Sequence, residues 1–169
     1  MTPADPLLPG VDLGDVALRL GAAVLAGVII GIDREIRGKP VGIRTLGLVS
    51  LGAALVCLST VHLTILNAEP DAVSRVIQGV IQGVMTGIGF IGAGVVLERR
   101  DGGVRGLTTA ATVWVTAALG IACALATWSI VFIGVGLTLA VLIVLLPIDV
   151  WLDRRRAEMK VAQSEGEND

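Results

Sequence analysis

The chain has 169 residues, 54% of them hydrophobic and only 17% charged, with a net charge of −2 and a mean hydropathy of +0.83. A soluble domain of this size carries roughly a quarter charged residues, so the composition points to a membrane. Near-neutral charge, no tyrosine and 3% aromatics argue against a basic nucleic-acid-binding surface or a platform for stacking bases.

Residues 1–12 contain Pro and Asp but no Lys or Arg. A secretory signal starts with a basic region, so this stretch reads as an uncleaved extracytoplasmic leader. The first span is predicted over residues 13–32. Asp15 and Arg19 stand four apart and pair on one helix face near its outer end. Gly27 and Gly31 give a GxxxG face. Asp33-Arg34-Glu35 leaves the membrane, and Pro40 and Gly42 mark a turn. Gly42-Ile43-Arg44-Thr45 then leads into a second span at 46–66, where Ser50, Ser59, Thr60 and Thr64 can bond back to helix carbonyls.

The third span is predicted over residues 76–97. Gly79, Gly83 and Gly87 recur every four residues, beside Gln78 and Gln82, and Gly89, Gly92 and Gly94 follow. In water such glycines weaken a helix; in a membrane they let backbones approach closely. A tight charged loop follows, with Glu98, Arg99, Arg100, Asp101 and Arg105. The chain re-enters apolar sequence through Gly106, Thr108 and Thr109.

From residue 106 to 148 the sequence holds no Asp, Glu, Lys or Arg. One crossing needs ~20 residues, so this stretch holds two spans, predicted at 107–127 and 128–150. Trp128 and Trp151 are expected at opposite interfaces, and Pro147 is expected to kink the last turns. The tail, 152–169, starts basic and turns acidic, and is expected to be disordered. Cys57 and Cys123 both lie in apolar runs and read as buried small hydrophobes.

Charge sets the orientation. Every Lys and Arg except Arg19 and Arg75 falls in the loop after span one, the loop after span three, or the tail. Five alternating spans put these on one side, which the positive-inside rule makes cytoplasmic. The expectation is an all-α membrane bundle of five helices, N-terminus outside and C-terminus inside.

The same residues carry a family resemblance. Gly27-x-x-x-Gly31-x-Asp33-Arg34-Glu35, Gly42-x-Arg44-Thr45, Gly87-x-Gly89-Phe90-Ile91-Gly92-Ala93-Gly94 and Val104-Arg105-Gly106-Leu107-Thr108-Thr109-Ala110-Ala111-Thr112-x-Trp114 resemble the MgtC/SapB family. The likeness covers roughly residues 13–153. It implies a bacterial inner-membrane protein linked to growth at low magnesium and to survival of some pathogens in phagocytes. It also implies action by binding other membrane proteins, including the F-type ATP synthase, rather than by carrying magnesium. MgtC-like members have a soluble C-terminal domain; here only residues 152–169 follow the fifth span, so the sequence reads as a short form. The polar position opening the fourth span is Asn in some MgtC-like members and Thr108 here.

Four constellations are candidates for function. Asp33, Arg34, Glu35, Arg44, Thr45 and Arg105, with Glu98, gather at the cytoplasmic ends of the spans, joined by Gly106, Thr108 and Thr109. They form either a polar network that docks a partner or a set of interfacial ion pairs that fix topology. Asp33 follows a short apolar run, and its expected partner is Arg44 or Arg105. Asp33 and Glu98 are also the candidate ligands for a hard cation such as Mg²⁺; no resident cofactor is otherwise expected. The glycines of span three, Gly79, Gly83, Gly87, Gly89, Gly92 and Gly94, serve either as a break lining an ion path or for packing, against Gly27 and Gly31 of span one or in a homo-oligomer. His62 is either an acidity sensor or a tolerated interfacial group. Asp5, Asp12, Asp15, Glu69 and Asp71 make the outer face acidic, as the positive-inside bias alone would. No HExxH, GxSxG, P-loop or CxxC motif is present, so enzyme chemistry is not expected. The sequence reading favours a regulator that binds other membrane proteins, ahead of a cation transporter or a self-associating scaffold.

Overall fold

The computed structural model describes residues 12–65, 70–98 and 104–145. The side chains of residues 62–65, 70, 97, 98 and 104 are outside that description. The sequence readings of the leader, the acidic residues Asp5 and Glu69, the arginines at 99 and 100, Asp101, Pro147, Trp151 and the tail fall outside it too, as do the side chains of His62 and Glu98.

Among the described residues five helices follow in order: α1 (Leu13–Ile36), α2 (Ile43–Ile65), α3 (Pro70–Gly94), α4 (Leu107–Leu125) and α5 (Trp128–Val144). Between α3 and α4 the chain forms a minimal antiparallel ladder, β1 (Leu97–Glu98) with β2 (Val104–Arg105). Four helices, α1 to α4, are long and apolar enough to cross a membrane. The 17 residues of α5 reach the lower end of that range.

Residues 12–135 of the description form one compact unit. Residues 136–145, which carry the second half of α5, belong to another.

Each helix starts and stops for a local reason. Asp12 caps α1, its carboxylate accepting from the Gly14 N–H at 2.9 Å, which satisfies a donor that the helix leaves free. The α1–α2 turn is tight. Gly38 takes a left-handed φ of 59°, and Val41 does so at 79°, unusual for a β-branched residue. That short turn lays α2 directly against α1. Gly27 and Gly31 face α2 for this reason: a Cβ at Gly27 would lie 2.9 Å from Gly47 Cα, and one at Gly31 would lie 2.9 Å from the Ile43 nitrogen. The predicted meeting of this GxxxG face with span three does not occur.

Helix α4 is the most buried element and packs on α1, α2 and α3. Its Gly120 crosses Ser50 of α2, where a Cβ would come within 2.9 Å of the Ser50 carbonyl carbon. The core between these helices is small-residue packing: Ala23, Ala26, Ala54, Cys57, Ala117 and Cys123 are all nearly inaccessible. Both cysteines are buried and free. Thr112 and Thr116, also buried, turn their hydroxyls to the carbonyls of Thr108 and Thr112.

Helix α3 is unbroken from Pro70 to Gly94, so its glycines do not open the helix and free no carbonyls in its middle. It lies against α2 and α4 through Val80, Ile81, Val84, Met85 and Ile88.

Candidate functional site

The charged residues grouped at the ends of the spans do not form one network. Asp33 pairs with Arg37, Oδ1 to Nε at 2.8 Å, rather than with Arg44 or Arg105. The reason is local: residues four apart on a helix share a face, whereas Arg44 and Arg105 belong to other elements. Both of those arginines are exposed. Glu35 turns to the start of α2, accepting from the Ile43 N–H at 3.3 Å. It lies where a side chain at Gly42 would go. Among the described residues no group of three or more His, Cys, Asp or Glu side chains comes together.

Arg34 behaves differently from its neighbours. It is 3% exposed, in the last turn of α1, and donates from Nη2 to the hydroxyl of Thr109 in the first turn of α4. Its Nε has no acceptor, and no carboxylate among the described residues pairs with it. The sequence held a signal for this burial. Ala23, Gly27, Ile30 and Arg34 fall at helical spacing and are all buried, so Arg34 continues the inward stripe past the point where the apolar run ends.

Gly106 adopts φ 92° and precedes α4 without any side-chain cap. A side chain there would collide with the backbone of Val95 and Val96. Thr108 is exposed and Thr109 buried. Thr45 is exposed at the start of α2 and lines an apolar groove of about 490 Å³ with Leu48, Val49, Val84, Ile88 and Ile91.

All but one of the glycines of α3 meet no neighbour among the described residues. No atom of the described residues other than the helix's own lies within 4 Å of a Cβ placed at Gly79, Gly83, Gly87, Gly89 or Gly94. Gly92 alone touches a neighbour, Ala110 of α4, at 3.7 Å. The physical reason is a choice of face: α3 turns its Val80, Ile81, Val84, Met85 and Ile88 side inward. Two adjoining ridges are left outside. One is Ser74, Gln78, Gln82 and Thr86, and the other Arg75, Gly79, Gly83 and Gly87, all exposed.

At the other end of the bundle Arg19 does something that sequence spacing only half reveals. Its Nε bonds Asp15 at 2.7 Å. Its Nη1 reaches the carbonyls of Cys123 and Ala124 at 3.2 Å and of Ala126 at 3.5 Å. The guanidinium also sits 5.6 Å from the ring centre of Trp128. It thus ties α1 to the end of α4, where helix carbonyls lack intrahelical donors.

Comparison with known proteins decides the family. The family model described as MgtC family matches residues 20–151. The chain belongs to the MgtC family. Protein SrpB of Synechococcus elongatus is 40% identical over 145 residues, 80% of this chain and 77% of SrpB. Protein MgtC of Salmonella typhimurium is 42% identical over 108 residues, 64% of this chain and 42% of that protein. Protein SapB of Bacillus subtilis is 32% identical over 108 residues, 64% of this chain and 47% of SapB. This MgtC-family chain thus spans less than half of the MgtC and SapB relatives. No solved structure matches it. Family membership and the apolar helices together make it a multi-pass membrane protein of the MgtC/SapB type.

Proposed function

We propose that this protein is a regulator in the bacterial inner membrane that acts by docking another membrane protein, under magnesium limitation or acid stress. The observation that carries the reading is the outer face of α3. Gln78 and Gln82 stand exposed on a helix long enough to span the bilayer. Hydrocarbon offers an amide no hydrogen-bond partner. Beside them the ridge of Gly79, Gly83 and Gly87 lets another helix come close enough for those amides to find one. In this reading the docking surface is the outer side of α3 within the membrane, continued by the exposed Arg105 and Thr108 at the cytoplasmic end. The stress conditions, and a complex such as the F-type ATP synthase as partner, come from the family resemblance. The proposal includes no catalytic step and no resident metal.

A photo-crosslinking residue at Gln82, introduced into the whole chain in its native host, tests the reading. Crosslinks to a second membrane protein are expected, and their loss when Gly83 is changed to Leu. Crosslinks only to other copies of this chain would make it a self-associating scaffold. The cation-transport reading is tested beside it by magnesium entry into sealed liposomes holding only this protein; flux abolished by Asp33→Asn would replace docking with transport.

A further inference from the structure

We propose that the first turn of α4, backed by Arg34, is a binding site for a phosphate group. Three features meet there. First, Gly106 at the start of α4 has no side chain to offer and makes no side-chain cap. The N–H groups of Leu107, Thr108 and Thr109 lie ahead of the first intrahelical bond, which runs from the Ala110 N–H to the Gly106 carbonyl at 2.8 Å. Helix N-termini of this kind attract anions through free N–H groups and the helix dipole.

Second, a charge lies behind that turn. Arg34 is buried, its Nη2 donates to the Thr109 hydroxyl, and its Nε has no acceptor. Asp33 attracts it from the neighbouring position but gives its hydrogen bond to Arg37, and Glu35 turns to the Ile43 N–H, so among the described residues neither carboxylate bonds to the guanidinium. A buried guanidinium with an unsatisfied Nε and no carboxylate bonded to it is unfavourable, and more so beside the positive end of a helix. An anion at the first turn of α4 answers both at once.

Third, the turn is open. Thr108 is exposed and Gly106 half-buried, and the exposed Arg105 stands immediately before them. A phosphate approaching the N–H groups meets Arg105 at the surface and the field of Arg34 from beneath Thr109.

The phosphate could be a lipid headgroup or a free ion. The basic loops place this end of the bundle at the membrane surface, where lipid phosphates are concentrated. The apolar groove between α2 and α3, lined from Thr45 and Ile91 at the same end, could hold an acyl chain. This inference does not depend on the docking role of α3.

The test uses the whole purified chain in neutral detergent. Its thermal midpoint is measured in inorganic phosphate and in chloride at equal ionic strength, then with phosphatidylglycerol and with phosphatidylcholine. A rise with phosphate over chloride assigns the site to free phosphate. A rise with phosphatidylglycerol alone assigns it to a lipid headgroup. In either case Arg34→Gln is expected to weaken binding about tenfold, the order of one unit charge acting over several ångströms near a protein surface. Where that variant does not fold, Arg105→Gln, at an exposed position, is expected to weaken binding by a smaller factor. No preference for either phosphate probe in the native chain overturns the proposal. So does a preference that survives unchanged in the folded variants.

Discussion

Gly120 of α4 crosses Ser50 of α2 with backbone against backbone. A single added methyl at Gly120 would meet the Ser50 carbonyl, its carbon only 2.9 Å away. Together with Gly27 and Gly31 on α1, it makes α2 the helix that two neighbours approach through glycine.

The first prediction follows from that contact. Gly120→Ala cannot be relieved by a flexible side chain, because the obstacle is main chain. The two helices must separate, at about 1–3 kcal/mol, the usual penalty of overpacking. Thermal unfolding followed by tryptophan fluorescence should show a lowered midpoint for Gly120→Ala and no folded protein for Gly120→Leu. Gly79→Ala, with open space around it, should match the native chain or exceed it, since alanine favours helix over glycine.

Gly83→Leu makes a second, opposite pair of outcomes. Among the described residues nothing lies within 4 Å of a Cβ placed there, so the thermal midpoint should not fall. Partner crosslinking from Gln82 should nevertheless disappear, because the added side chain holds another helix away from the amides. The same substitution at Gly27, which faces the Gly47 backbone at 2.9 Å, should instead abolish folding. Measuring both properties on both variants separates docking glycines from packing glycines.

Those two stripes also mark how far the sequence could be read. The helices were legible, because uninterrupted apolar runs bounded by charge and proline leave little choice in a membrane. The tight turn before α2 was legible in Pro40 and Gly42. What spacing could not give was the neighbour of each stripe. Gly27 with Gly31 and Gly79 with Gly83 are the same pattern, yet the first meets α2 and the second faces outward. A period fixes which residues share a face, not what that face meets. The site was legible in the same partial way. Asp33 found the partner four residues along its own helix, a choice the sequence contained. The pairing of Arg34 with Thr109, 75 residues apart, depends on how α1 and α4 are laid together.

Arg19 offers a third test. It binds Asp15 on its own helix and three carbonyls at the end of α4, so its removal both frees a carboxylate and uncaps α4. Arg19→Ala should destabilise the chain by about 1–3 kcal/mol, the scale for hydrogen bonds to a charged group. Arg19→Lys keeps the charge and one point of contact but not the fork that reaches both helices. Its midpoint should fall between the two. If lysine restored the native midpoint in full, the contribution of Arg19 would be its charge beside Asp15 and Trp128, and the carbonyl contacts would add little.

Thr109 gives the last. Valine has nearly the shape of threonine and lacks only the hydroxyl that accepts from Arg34. Thr109→Val leaves a buried guanidinium with one donor more than it can satisfy, and should lower stability by about 1–3 kcal/mol. Thr109→Ser keeps the acceptor and loses a methyl group, with an expected loss of about 1 kcal/mol or less. The order native, serine, valine in thermal midpoint assigns the effect to the hydrogen bond. The reverse order of serine and valine would assign it to packing at the α1–α4 contact. A bound phosphate should narrow the gap between native and valine, because an anion at the first turn compensates the charge of Arg34 whether or not the hydroxyl is there.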